Sequence, residues 1–195
     1  MLVAHTHDTI TLISGAVLAP LTYYTVEHFT HSADIARIDT ILFVGAHVLS
    51  GMMFSPDLDI DSAIDNRWGI FRWIWEPYMW AVPHRSRLLS HGLIIPPLLR
   101  ILYFFAVTFL AYTGFSWALG RVGIIMPNYY LQVVHYLTSL AHTRTREVEV
   151  FLLGFITGSA AHTFADFGIV GAFIGNVPHH QHWHPHHHHW TGQRK

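Results

Sequence analysis

Cysteine is absent from all 195 residues. That excludes disulfides and thiolate metal sites, and leaves nitrogen and oxygen as the ligands for any metal ion. Charge is scarce too: 12% of residues carry it against 51% that are hydrophobic, which is too apolar for an ordinary water-soluble domain and suits a bilayer as solvent. A basic surplus is missing, since 11 basic residues face 12 acidic ones and the basic residues are scattered. No nucleic-acid partner is implied. The N-terminus lacks the basic region of a secretory signal, so its first apolar run is expected to be retained.

What the chain does have is long apolar runs. Five stand out: Thr9 to Val26, Ile35 to Phe54, Ile101 to Leu119, Val122 to Leu140, and Val148 to Phe173. Each approaches the roughly 20 residues that a helix needs to cross hydrocarbon. The second and fourth are the weakest, because Arg37 and Asp39 begin one while Pro127, Asn128, Gln132 and His135 interrupt the other. The expected fold is all-α: a polytopic membrane bundle of about four to five helices, with residues 1–177 forming the membrane-embedded domain.

Between the second and third runs, Ser55 to Gly92 is the least membrane-like stretch and carries Arg67, Arg72, Arg85 and Arg87. The bias of basic residues toward cytoplasmic loops puts this loop on the cytoplasmic side, and Arg144 and Arg146, two expected spans later, point the same way. Its Arg67 to Trp80 segment holds four of the seven tryptophans. That composition predicts an interfacial helix with indoles at headgroup depth, the alternative being a helix packed on the bundle. Residues 178–195 read as a flexible His-rich tail, with eight of the eighteen histidines, and as a weak metal-binding arm.

Four clusters place imidazole or carboxylate groups at ligand spacing. In Pro56-Asp-Leu-Asp-Ile-Asp61 an extended backbone would set alternate carboxylates on one side. A calcium loop of the EF-hand type is excluded, because Ser62 and Trp68 stand where it needs glycine and glutamate. His84 and His91 bracket a basic turn in which Arg85 and Arg87 could grip a phosphate. His162 and Asp166 are four apart in an apolar segment, hence on one helical face, where ionisable groups are costly and functional by default. His7 precedes the first run, with Asp8 beside it either orienting the ligand or capping the helix. His28, His31, His47, His135 and His142 fit no such pairing and read as packing or interfacial residues.

The order His7, then Pro56-Asp-Leu-Asp59, then His84-Arg with Ser90-His91-Gly, then His162 with Asp166 resembles a family. It is similar to the bacterial inner-membrane proteins described as LexA-regulated, membrane-bound metal-dependent hydrolases, and to a related group known only as metal-binding proteins. The resemblance covers about residues 1 to 170. It implies a helical membrane bundle with a hydrolytic metal site, and nominates His7, Asp57, Asp59, His84, His91, His162 and Asp166 as ligands. The chain departs from the hydrolase branch at Ile60, where that branch has histidine, and at Ser90-His91-Gly92, where it has Thr-His-Ser.

The resulting expectation is a membrane-embedded, metal-dependent hydrolase, phosphoesterase-like, acting on a lipid or other amphiphile at the cytoplasmic face. A divalent ion, zinc first with manganese, iron and magnesium behind it, would activate water. Asp57 would serve the chemistry and Arg85 would hold the substrate. The alternative expectation is a divalent-metal binding or transport protein, for which ligands would be spread through the membrane's depth.

Overall fold

The structure, a computed structural model, describes residues 4–59, 67–82 and 92–174. Among them are six α-helices and two short 3-10 turns, with no strand. Helices α1 (Ala4–Thr30) and α2 (Ala33–Met53) form a hairpin. His31 makes its turn at a φ of 52°, and Ser32 caps α2 by accepting from the Ile35 amide. A 3-10 turn, η1 (Pro56–Asp59), follows; a second, η2 (Gly69–Ile74), leads into the short α3 (Glu76–Ala81). Then come α4 (Ile95–Arg121), α5 (Tyr129–Thr143) and α6 (Thr145–Ile174).

The first, second and last helices pack as a unit, with α2 antiparallel to α1 and parallel to α6. Two glycines permit the α2–α6 approach: a Cβ at Gly154 would run into the Phe43 carbonyl, and one at Gly158 into the His47 carbonyl. On the other flank Gly51 meets the Thr11 side chain. The interior so formed is polar, with Thr11, His47, Ser50, Ser159 and Thr163 all buried. Outward stand Leu12, Val17, Leu21, Leu102, Leu110 and Trp117, each more than half exposed. Such an inverted distribution suits hydrocarbon surroundings. Four helices, Thr6–Thr30, Ala33–Met53, Ile95–Arg121 and Thr145–Ala165, are long and apolar enough to cross a membrane.

At one end of this unit an aromatic cluster docks the second turn. The Phe54 ring meets Trp68, Trp75, Phe104 and Phe155 edge-on, at centroid distances of 5.4 to 5.7 Å, a favoured aromatic geometry. Tyr103 donates to the Ile74 carbonyl at 2.5 Å. The tryptophan-rich segment is thereby two-faced. Ile74, Trp75 and Tyr78 are buried in the bundle, whereas Ile70, Phe71, Trp73 and Trp80 point outward.

The expected span over Val122 to Leu140 does not form. Gly123, at a φ of 81°, and Pro127 turn the chain, and Asn128 caps a new helix by accepting from Leu131. That helix, α5, has 15 residues and so covers about 22 Å, short of the roughly 30 Å of bilayer hydrocarbon. Arg144 and Arg146 therefore do not return to the side of Arg67. Arg146 pairs with Asp39 at 3.4 Å in the first half of α2, while Arg67 donates to the Met52 carbonyl at its far end. Basic residues stand at both ends of the bundle, and the cytoplasmic placement of the Ser55 to Gly92 loop loses the support expected from Arg144 and Arg146.

Candidate metal centre

Three elements bring three side chains to the end of the helical unit that holds the C-terminus of α2. His7 comes from the start of α1, Asp57 from η1 and His162 from α6. One nitrogen from each imidazole and one carboxylate oxygen all lie within 4.8 Å of one another. Nε2 of His162 is 3.3 Å from Oδ2 of Asp57, and the His7 and His162 rings stack with centroids 4.0 Å apart and planes 16° from parallel. Both imidazoles are buried, and the Asp57 side chain keeps 13% exposure, so the cluster is most open on its carboxylate side.

The donor set suits a metal ion. Two imidazoles and a carboxylate form a nitrogen–oxygen set of the kind that zinc, iron and manganese accept. Ligands at about 2.0–2.2 Å from one ion stand roughly 3 to 4 Å apart, so donors within 4.8 Å of one another are near that spacing, and to share an ion the two stacked rings have to turn until both in-plane nitrogen lone pairs meet at it. Turn η1 owes its shape to burial. The Leu58 side chain is fully buried, its amide donates to the Ser55 carbonyl at 3.2 Å, and Pro56 tolerates the first position of such a turn. The backbone at Pro56–Asp59 is thus a 3-10 turn, so the extended condition under which alternate carboxylates would share one side is not met there. Asp57 reaches His162 because Leu58 anchors the turn.

Asp8 is not a helix cap, since α1 already begins at Ala4. Its carboxylate accepts from Arg67 at 2.7 Å, and Arg67 also holds the Met52 carbonyl at 2.9 Å, which ties the His7 end of α1 to the end of α2. Sequence reasoning passed over this role of Arg67, because an arginine before a tryptophan carries no signal of its own. It also passed over Arg100, fully buried at the start of α4. There the signal existed: a cation at the head of an apolar run is expensive unless partnered.

Of the other nominated residues, Asp59 closes η1 and Asp166 lies one turn beyond His162 on α6. Their side chains lie outside the described residues, as do His84, Arg85 and His91 altogether, and the His-rich tail. His47, read as a packing residue, is buried between three helices, with Ser14 Oγ 2.8 Å from Nε2 and Thr157 Oγ1 3.1 Å from Nδ1.

Fold and site define a helical protein of membrane type in which, among the described residues, two imidazoles and a carboxylate meet at one end of the bundle. Residues 3–173 match the family described as uncharacterized metal-binding protein (DUF2227), and the chain belongs to that family. No curated protein and no solved structure matches the chain. Of the two groups that the motif order resembles, the match is to the metal-binding one, and its description carries no reaction.

Proposed function

We propose that this protein is embedded in a membrane and holds one divalent cation between His7, Asp57 and His162, with zinc the first candidate and manganese, iron and magnesium behind it. The observation that carries this reading is the approach of the three donor groups, from three separate elements, to within 4.8 Å at a buried end of the bundle. Family membership supports the same reading. When bound, such an ion supplies Lewis acidity.

Hydrolysis of a lipid or other amphiphilic phosphoester is a second reading. One feature favours it: the described ligands gather at one end of the helices rather than through their length. Asp57 stands on the open side of the cluster, and Arg85 would hold the substrate phosphate.

Elemental analysis of the chain purified with and without residues 178–195 tests the metal reading. About one equivalent of metal should survive tail removal and disappear in His162→Ala and Asp57→Asn. A tail-less protein without metal, or one whose metal is indifferent to His162→Ala, would sink the proposal.

A further inference from the structure

Arg100 stands out among the described arginines because its side chain has no exposure at all. It lies in the first turns of α4, just after Pro96 and Pro97, at the end of the bundle that holds the metal cluster. Its Nη1 donates to the Phe54 carbonyl at 3.2 Å and to Ser159 Oγ at 3.4 Å. Each acceptor precedes a cluster residue by three positions: Phe54 stands ahead of Asp57, and Ser159 ahead of His162.

Neither connection has much slack. From Phe54 the chain runs directly into the turn closed by the Leu58 amide on the Ser55 carbonyl, with Leu58 itself buried. From Ser159 the path to His162 is less than one turn of continuous helix, and Thr163 donates back to the Ser159 carbonyl at 3.2 Å. One guanidinium nitrogen thus bridges the C-cap of α2, two residues ahead of the turn that carries Asp57, and the helix that carries His162. A buried arginine is a poor choice for packing alone, since a leucine or methionine fills similar space without desolvating a charge. Its charge, taken by itself, opposes a nearby cation, so what it offers the centre is geometry. The planar guanidinium holds its donors at fixed angles, which a lysine ammonium does not.

We propose that Arg100 is the positioning residue of the metal centre, setting the separation of Asp57 and His162 and through it the affinity for the ion. The inference rests on the metal-binding reading above.

The test is zinc affinity of the full chain in detergent, measured against a chelator strong enough to silence the weak sites of the tail. It is paired with thermal unfolding of the metal-free protein and with the visible spectrum of the cobalt(II)-loaded form. Arg100→Met should lower zinc affinity about 10- to 100-fold, the range typical of residues that orient metal ligands. Arg100→Lys should fall between it and wild type, Ser159→Ala should lose several-fold, and all three should alter the cobalt bands. Tyr103→Phe, which removes a bond one turn along α4, should lower the unfolding temperature and leave zinc affinity and the cobalt spectrum unchanged. Wild-type affinity and spectrum in both Arg100→Met and Ser159→Ala would overturn the inference. Should Arg100→Met fail to fold, Ser159→Ala and Arg100→Lys decide by the same criterion. His162→Ala separates the two layers. If it leaves zinc affinity intact, the metal reading falls and takes this inference with it; if it abolishes binding while the Arg100 and Ser159 variants bind normally, this inference alone falls.

Discussion

His7 and His162 come from opposite ends of the chain and lie ring on ring, centroids 4.0 Å apart, with His162 Nε2 3.3 Å from the Asp57 carboxylate. If both imidazoles turn their nitrogens to one ion, as the metal reading requires, their contributions to binding are coupled. His7→Ala and His162→Ala should each weaken zinc binding by roughly 100-fold or more, since loss of a direct ligand costs at least as much as loss of a residue that orients one. The double variant should lose far less than the product of the two, as expected of residues in one network. A double-mutant cycle by competition titration checks this, and simple additivity would place the two histidines at independent sites.

The glycine contacts between α2 and α6 give a second prediction. Gly158→Leu drives a side chain into the His47 carbonyl, with no flexible group there to yield. It should destabilise the bundle by roughly 3 kcal/mol and weaken metal binding as well, because His162 is the next turn of the same helix. Gly114 faces open space in the middle of α4, so Gly114→Ala should be neutral or stabilising by up to about 1 kcal/mol. Thermal unfolding in detergent distinguishes the two, and equal behaviour would mean that α2 and α6 do not meet at Gly158.

Much of this arrangement is legible from residue order, and the remainder fails for identifiable reasons. The apolar runs at Thr9, Ile35, Ile101 and Val148 become α1, α2, α4 and α6 with shifts of a few residues, because length and hydropathy dominate in a bilayer-sized helix. His162 is conspicuous by the expense of an imidazole at that depth. Turn η1 is not legible: its form goes with burial of Leu58 against residues far along the chain, and the extended backbone that the alternate carboxylates would need is not adopted. The Val122 to Leu140 run fails where the sequence already shows it interrupted, at Pro127 and Asn128, and Gly123, with its positive φ, turns the chain just after the preceding helix. His47 escapes because its partners are single hydroxyls on two other helices, which make no motif.

His47 gives a third prediction, one that separates structure from chemistry. Ser14 and Thr157 hydroxyls also lie within hydrogen-bond distance of carbonyls of their own helices, at Thr11 and Gly154, so on removal of the imidazole both can donate to backbone acceptors. His47→Ala should therefore cost about 2 kcal/mol, from the cavity and the lost bridge, without the penalty of an orphaned buried group. Metal stoichiometry should stay at the wild-type value. Loss of metal from a protein that remains folded would make His47 a participant in binding rather than a staple between three helices.

The last prediction separates a protein that retains its ion from one that passes it on. The described ligands gather beside the end of α2, whereas the Asp39–Arg146 pair lies in its first half, and between the two levels Gly154 presses against the Phe43 carbonyl. Such close backbone contact opposes movement of an ion along the helical interface. Wild-type protein in sealed liposomes should therefore admit no zinc beyond that entering protein-free vesicles, as read by an enclosed zinc indicator. If the second reading holds, the same liposomes should hydrolyse a phosphorylated amphiphile, and Asp57→Asn, which keeps side-chain size and removes the charge, should lower both bound metal and turnover. Robust zinc uptake by wild type, abolished by Asp57→Asn and unaccompanied by hydrolysis across a panel of esters and phosphoesters, would overturn the hydrolytic reading. The cluster would then be the entry site of a metal pathway, and Asp39 with Arg146 the first place to seek its exit.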